Sequence, residues 1–165
     1  MAAGATYEPI ATTTLGTAAA SITFSSISAA YTDLRIVLTG TDSNGQFVNV
    51  TFNSDTAANY SFTQINGSGS AATSSRGTST ANIQLASNAS TTVPSFRSID
   101  IFSYAGSTYK TALATDNIDV NGSGLVRCTV GLWRSTSAIT SVTMTSLSST
   151  FIIGTTATLY GIKAA

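Results

Sequence analysis

Chemistry in this chain would have to come from very few side chains. There are seven acidic and seven basic residues, no histidine and a single cysteine. Without histidine, the commonest general base and the usual partner of a serine or cysteine nucleophile is missing. Serine is too abundant for one hydroxyl to stand out, and no Gly-x-Ser-x-Gly elbow occurs. Paired carboxylates are the remaining route to hydrolysis, as in glycosidases. Here Asp33, Asp42, Asp55, Asp100, Asp116 and Asp119 are scattered among turns and outward strand positions. The expectation is a non-enzymatic protein with no catalytic residue.

Metal chemistry fares no better. One cysteine and no histidine cannot make a structural zinc site. In "NIDVNGSG" the residues Asn117, Asp119, Asn121 and Gly122 imitate the start of a calcium loop. The position of the bidentate glutamate is Cys128, which breaks the match. A β-turn with Asn-Gly at its tip is the expected structure, and "TDSNG" around Asp42 reads the same way. No metal and no cofactor are expected. The sequons at Asn59 and Asn121 arise by chance in a chain of which roughly a third is Ser or Thr.

The elements that carry these residues are strands almost throughout. Polar–apolar alternation places Leu34, Ile36 and Leu38 on one face, and likewise Val48, Val50 and Phe52. Ile99 pairs with Ile101, Val142 with Met144, and Ala157, Leu159 and Gly161 lie opposite Tyr160 and Ile162. "SITF" and "YKTALA" add shorter pieces, and no segment has helical apolar spacing. The expected fold is all-β: a two-sheet, jelly-roll-like β-sandwich of about eight strands. One domain spans 1–165, with an N-terminal arm (about 1–15) and a polar loop (about 66–80).

The strand "VRCTVGLWR" holds the only tryptophan. Alternation puts Val126, Cys128, Val130 and Leu132 on the core face, with Cys128 as a small core hydrophobe. Trp133 then faces outward with Arg127, Thr129 and Gly131, unless a bulge at Gly131 reverses it. Phe47, Phe102, Tyr104 and Tyr160 supply further outward aromatics. Trp beside Arg is the composition of an interface hot spot. A subunit or partner interface built on Trp133, Arg134, Phe102, Tyr104 and Tyr160 is therefore preferred over a core plug or a sugar platform. Arg35 with Asp33, and Arg97 near Asp100, read as surface or inter-subunit contacts.

Net charge is zero and there is no cationic block, so no nucleic-acid partner is expected. No secretory signal and no membrane-spanning apolar run are visible, so the expected product is soluble and made in a cytoplasm.

Three stretches, "YEPIATTTLGTAAASITFSSISAAYTDLRIVLTG", "SIDIFSYAGSTYKTAL" and "VGLWRSTSAITSVTMTSLSSTFIIGTTATLYGIKAA", resemble small virion structural proteins of tailed bacteriophages. The clearest markers are Tyr31 to Leu34, Asp100 to Gly106, Gly131 to Ile139 and the terminal "TTATLYGIKAA". The resemblance implies a compact β-fold in a homotrimer on the virion. It implies one of two roles. The first is a capsid decoration (cement) protein on the outer surface of the head, bound to the major capsid protein. The alternative is a tail fibre or spike subunit that binds a host surface glycan. Decoration is preferred because the reading frame is small and lacks fibrous repeats.

Overall fold

The computed structural model describes residues 6–44, 47–85 and 90–163. Twelve strands and no helix are present among them. In chain order these are β1 (Tyr7–Thr14), β2 (Ser21–Phe24), β3 (Asp33–Gly40), β4 (Val48–Phe52), β5 (Tyr60–Gly67) and β6 (Ala72–Thr80). They continue with β7 (Ile83–Gln84), β8 (Ser95–Phe102), β9 (Lys110–Val120), β10 (Ser123–Trp133), β11 (Val142–Ser146) and β12 (Thr156–Ile162). One sheet of eight has the order β1-β12-β3-β8-β9-β10-β5-β6, and a sheet of four has the order β2-β11-β4-β7. Pairing is antiparallel throughout.

The period-2 alternation explains the core. Leu34, Ile36 and Leu38 of β3, Ile99 and Ile101 of β8, and Ala157 and Leu159 of β12 point to one side of the large sheet. They meet Val48, Val50 and Phe52 of β4, Val142 and Met144 of β11, and Ile22 and Phe24 of β2 in a single cluster. The other side of these strands is rich in threonine. Thr12–Thr158, Thr14–Thr156 and Thr23–Thr143 are hydroxyl pairs at 2.9–3.1 Å across neighbouring strands. Such cross-strand pairs suit β-branched residues and give the high threonine content a structural use.

Among the described residues the strands number twelve rather than about eight, and most of the segment expected as a polar loop is a strand. Tyr7–Thr14 of the expected arm is the edge strand β1, paired with β12 with a register shift between Pro9 and Ala11; residues 1–5 lie outside the described chain. Within the expected loop 66–80, only Ser68–Ala71 turns, with Gly69 at φ 85°, and Ala72–Thr80 pairs with β5 as β6. β6 carries no apolar face because nothing covers it; nearly all of its residues are exposed. Its support is backbone pairing plus side-chain bonds such as Gln64 Nε2 to Ser75 Oγ. At the same end of the sheet, Asn121 and Gly122 both adopt positive φ (52° and 85°) between β9 and β10. That is the two-residue Asn-Gly hairpin turn expected from the sequence.

Candidate functional site

Strand β10 runs in unbroken register against β9 and β5 from end to end, so no bulge forms at Gly131. Its inner face is nevertheless Arg127, Thr129, Gly131 and Trp133, while Val126 and Val130 are 63% and 45% exposed. The expected polarity of this strand is thus inverted. Cys128 goes with the valines on the outer side, half-buried rather than in the core.

The inversion has its cause in the neighbouring strands. Register aligns Arg97 of β8, Asp116 of β9, Arg127 of β10, Asn66 of β5 and Thr73 of β6 in one row across the sheet. Arg97 Nε stands 3.0 Å from Asp116 Oδ1, and both side chains are buried. Arg127 Nε donates to Asn66 Oδ1, and its guanidinium carbon lies 5.8 Å from the centre of the Phe47 ring. Arg97 also donates to Ser95 Oγ at 2.8 Å. Nearby, the buried Asp42 accepts from the hydroxyls of Ser146 and Ser149. Burial pulls both guanidinium groups below their ordinary range, and Asp116 opposes that pull on each. Moving along the strands, the rows become apolar. Ile101, Ala112, Gly131 and Phe62 form one, and Tyr60 and Trp133 close the sheet. A Cβ on Gly131 would stand 2.5 Å from Cδ1 of Ile83, so the glycine is what lets β7 pack over β10.

Arg97 therefore does not make the surface contact near Asp100 expected from the sequence, and Arg127 is buried rather than on the outward face. Arg35 does lie at the surface, but its partner is Asp100 across the sheet, through Nε at 2.5 Å and Nη2 at 2.8 Å, and not Asp33. Asp100 holds the Arg35 guanidinium above its ordinary range.

The expected interface residues are divided between core and surface. Trp133 is a core residue, stacked on Tyr60 with ring centres 6.2 Å apart and tilted against Phe52 at 5.6 Å. Its indole N–H donates to Asp55 Oδ2 at 2.7 Å. Tyr104 is also buried; its hydroxyl donates to Ser28 O and accepts from Tyr31 N. Both rings carry a polar handle that a turn satisfies from inside, so neither needs a partner protein. Arg134 is half-buried and bonds Ala58 O through Nη2. Tyr160 is half-buried, edge-on to Tyr7 at 6.4 Å. Of the five, Phe102 is a large exposed hydrophobe, at 42%.

It belongs to a surface that alternation alone did not reveal. The outer face of β8, β9, β10 and β5 exposes Phe96, Phe102, Leu113, Val126, Val130 and Ile65. Leu113 lies beside Val130, and Cys128 beside Ile65, in direct cross-strand register. A shallow groove of about 580 Å³ runs between Val126, Cys128, Ile65 and Ala72. Exposed apolar surface of this continuity marks a contact site. Among the described residues, no group of three His, Cys, Asp or Glu side chains is placed to hold a metal ion.

Comparison with family models, with curated proteins and with solved structures gives no match.

Proposed function

We propose that this chain is a structural subunit of a phage virion, a non-enzymatic capsid decoration protein that binds the major capsid protein and stabilises the head. One observation carries the reading. The central strands of the large sheet turn Arg97, Asp116 and Arg127 inward and Phe96, Leu113, Val126 and Val130 outward. Burying charge and exposing hydrocarbon both oppose folding of an isolated chain. The outward half of that arrangement becomes favourable when the face is covered in an assembly. Binding energy gained this way adds to the stability of the shell by mass action.

The strand order supports a jelly-roll-like sandwich. Successive strands β2, β3, β4 and β5 alternate between the two sheets, as do β6, β7 and β8, and β10, β11 and β12. This alternation, with β5–β6 and β9–β10 as added hairpins in the larger sheet, is what a jelly roll produces, and that architecture recurs in viral shells.

Electron microscopy of purified virions, with the subunit located and counted, tests the proposal. Many copies spread over the head support it, and a few copies at the tail sink it. That second outcome favours the receptor-binding tail subunit. One feature speaks for that alternative: Phe102 and Tyr109, 42% and 55% exposed, flank the turn between β8 and β9. They form an aromatic end suited to a sugar face.

A further inference from the structure

We propose that the outer face of β5 and β6 receives an extended segment of a partner protein that carries a carboxylate for Arg76 and, four residues along, an apolar side chain. The inference rests on the reading of the outer face as an assembly surface and names the chemistry that the face recognises.

Arg76 is the exception among the cations. Of the seven basic side chains, Arg35, Arg97 and Lys163 are in ion pairs. Lys110, Arg127 and Arg134 donate to carbonyl or carboxamide oxygens of the fold. Arg76, exposed on the edge strand β6, has no hydrogen bond, ion pair or ring contact among the described residues. It borders a groove of about 360 Å³ whose other side chains include Thr63, Ser61, Thr111, Val130 and Leu132, and no carboxylate lines it. Asp100 lies in the same transverse row on β8, but it is bonded to Arg35. It stands four strands away, about 19 Å at ordinary strand spacing. That exceeds the screening length of about 10 Å in about 0.1 M salt, so the field of Arg76 is not cancelled from within the face.

The ligand chemistry follows from these groups. A planar guanidinium with free N–H groups takes a carboxylate through paired, charge-assisted hydrogen bonds. The hydroxyls beside it accept from backbone amides and donate to carbonyls. The floor of Val130 and Leu132 is aliphatic, and Phe62 turns its ring to the inner side over Gly77, so no aromatic face lies open to a sugar. The apolar groove between Val126, Cys128, Ile65 and Ala72 lies on the same face and the same strands. It is displaced along them by about four residues, or about 13 Å. In an extended chain only every second side chain points the same way. Residues four apart therefore engage both grooves together, and residues three apart do not. The charge fixes register, and the apolar side chain supplies most of the affinity.

The test uses the full chain, isotope-labelled, and blocked octapeptides of serine and threonine. Each probe carries one glutamate and one leucine four residues apart, in both orders, and NMR shifts at the Arg76 and Cys128 amides report occupancy. Saturable binding of one order is expected. It is expected to weaken about fivefold when the glutamate becomes glutamine, and as much in Arg76→Gln. The melting transition of that variant is expected to stay unchanged, because the Arg76 side chain holds nothing within the fold. Replacing the leucine by serine, or moving it to three residues from the glutamate, is expected to cost about tenfold. No binding, equal binding of the glutamate and glutamine peptides, or equal binding at the two spacings overturns the inference. So does glucuronate shifting the Arg76 amide where the peptides do not, which assigns the groove to an acidic sugar. The virion count is independent. Many copies on the head without peptide binding remove only this partner chemistry; peptide binding by a protein absent from the head removes the phage reading and leaves the contact intact.

Discussion

The indole N–H of Trp133 donates to Asp55 Oδ2 at 2.7 Å, joining the end of β10 to the turn after β4. The same carboxylate accepts from Asn59 Nδ2 and from the backbone N–H of Ala57, both at 2.9 Å. A chain reversal containing Asn53 and Ser54, both at positive φ, is thereby fastened to the aromatic cluster of Phe52, Tyr60 and Trp133. Asp55→Ala leaves a buried indole donor without its acceptor. The expected loss is about 1–3 kcal/mol, read as a lower denaturation midpoint with red-shifted fluorescence from the only tryptophan.

The Asp55 carboxyl is held below its usual range, first by Asn59, then by Trp133 and the Ala57 amide. A carboxylate depressed in the folded state adds stability above its unfolded pKa, and that stability is lost as pH falls through the folded value. Acid titration of the melting temperature therefore falls more steeply below about pH 4 for the native chain than for Asp55→Asn. Parallel curves for the two proteins would remove Asp55 from the acid response.

Two ion pairs of similar chemistry make opposite predictions. Removing Asp116 leaves Arg97 and Arg127 inside the fold with less compensation, so Asp116→Ala is expected to cost about 3–5 kcal/mol. Asp100→Ala removes the partner of a partly exposed Arg35, and the expected cost is about 0–1 kcal/mol. Urea unfolding of the two variants measures the difference. Equal effects would contradict the burial of the Arg97–Asp116 row.

How much of this was legible from residue order depends on whether a strand has one apolar face or two. β3, β4, β11 and β12 have one, so alternation assigned Leu34, Val50, Met144 and Leu159 to the core correctly. β10 has apolar residues outside and a guanidinium, a hydroxyl, a glycine and an indole inside. Period-2 counting then selects the valines and puts the strand the wrong way round. The signal that resolves it lies on other strands: Arg97 and Asp116 sit in phase with the core residues Ile99 and Ala114. For β6 no local signal exists, since its residues are polar on both faces and only the register with β5 makes a strand of them. The exposed apolar face was missed for the same reason as the buried arginines. Phe102 alone of the expected contact residues was both outward and widely exposed.

Gly131 and Ile83 provide a test of how closely the sheets approach. Adding a Cβ at 131 brings it within 2.5–2.9 Å of three Ile83 side-chain carbons. Gly131→Ala is expected to cost about 1–3 kcal/mol by overpacking. Ile83→Ala alone leaves a cavity at a site that is 2% exposed. In the double variant the new methyl enters the space that Ile83 vacated, so the two costs are expected to be strongly non-additive. Additive costs in a double-mutant cycle would mean that β7 does not sit over β10.

At the alkaline end, Tyr60 contributes to the loss of stability. Its hydroxyl accepts from the Phe52 amide at 2.9 Å and donates to carbonyls of Phe52 and Asp55, inside the cluster that holds Trp133. Burial pushes its phenol from the ordinary 10.0 up to about 12. Below pH 10 both folded and unfolded chains keep the proton, and the contribution is intact. Between pH 10 and 12 the unfolded chain releases the proton while the folded chain retains it, so stability falls across that window. Tyr60→Phe starts from a lower stability, because the Phe52 amide loses its acceptor. It is expected to decline less from pH 10 to 12, as measured by urea midpoints at each pH. An identical alkaline decline in the two proteins would show that the Tyr60 phenol titrates as it does in the open chain.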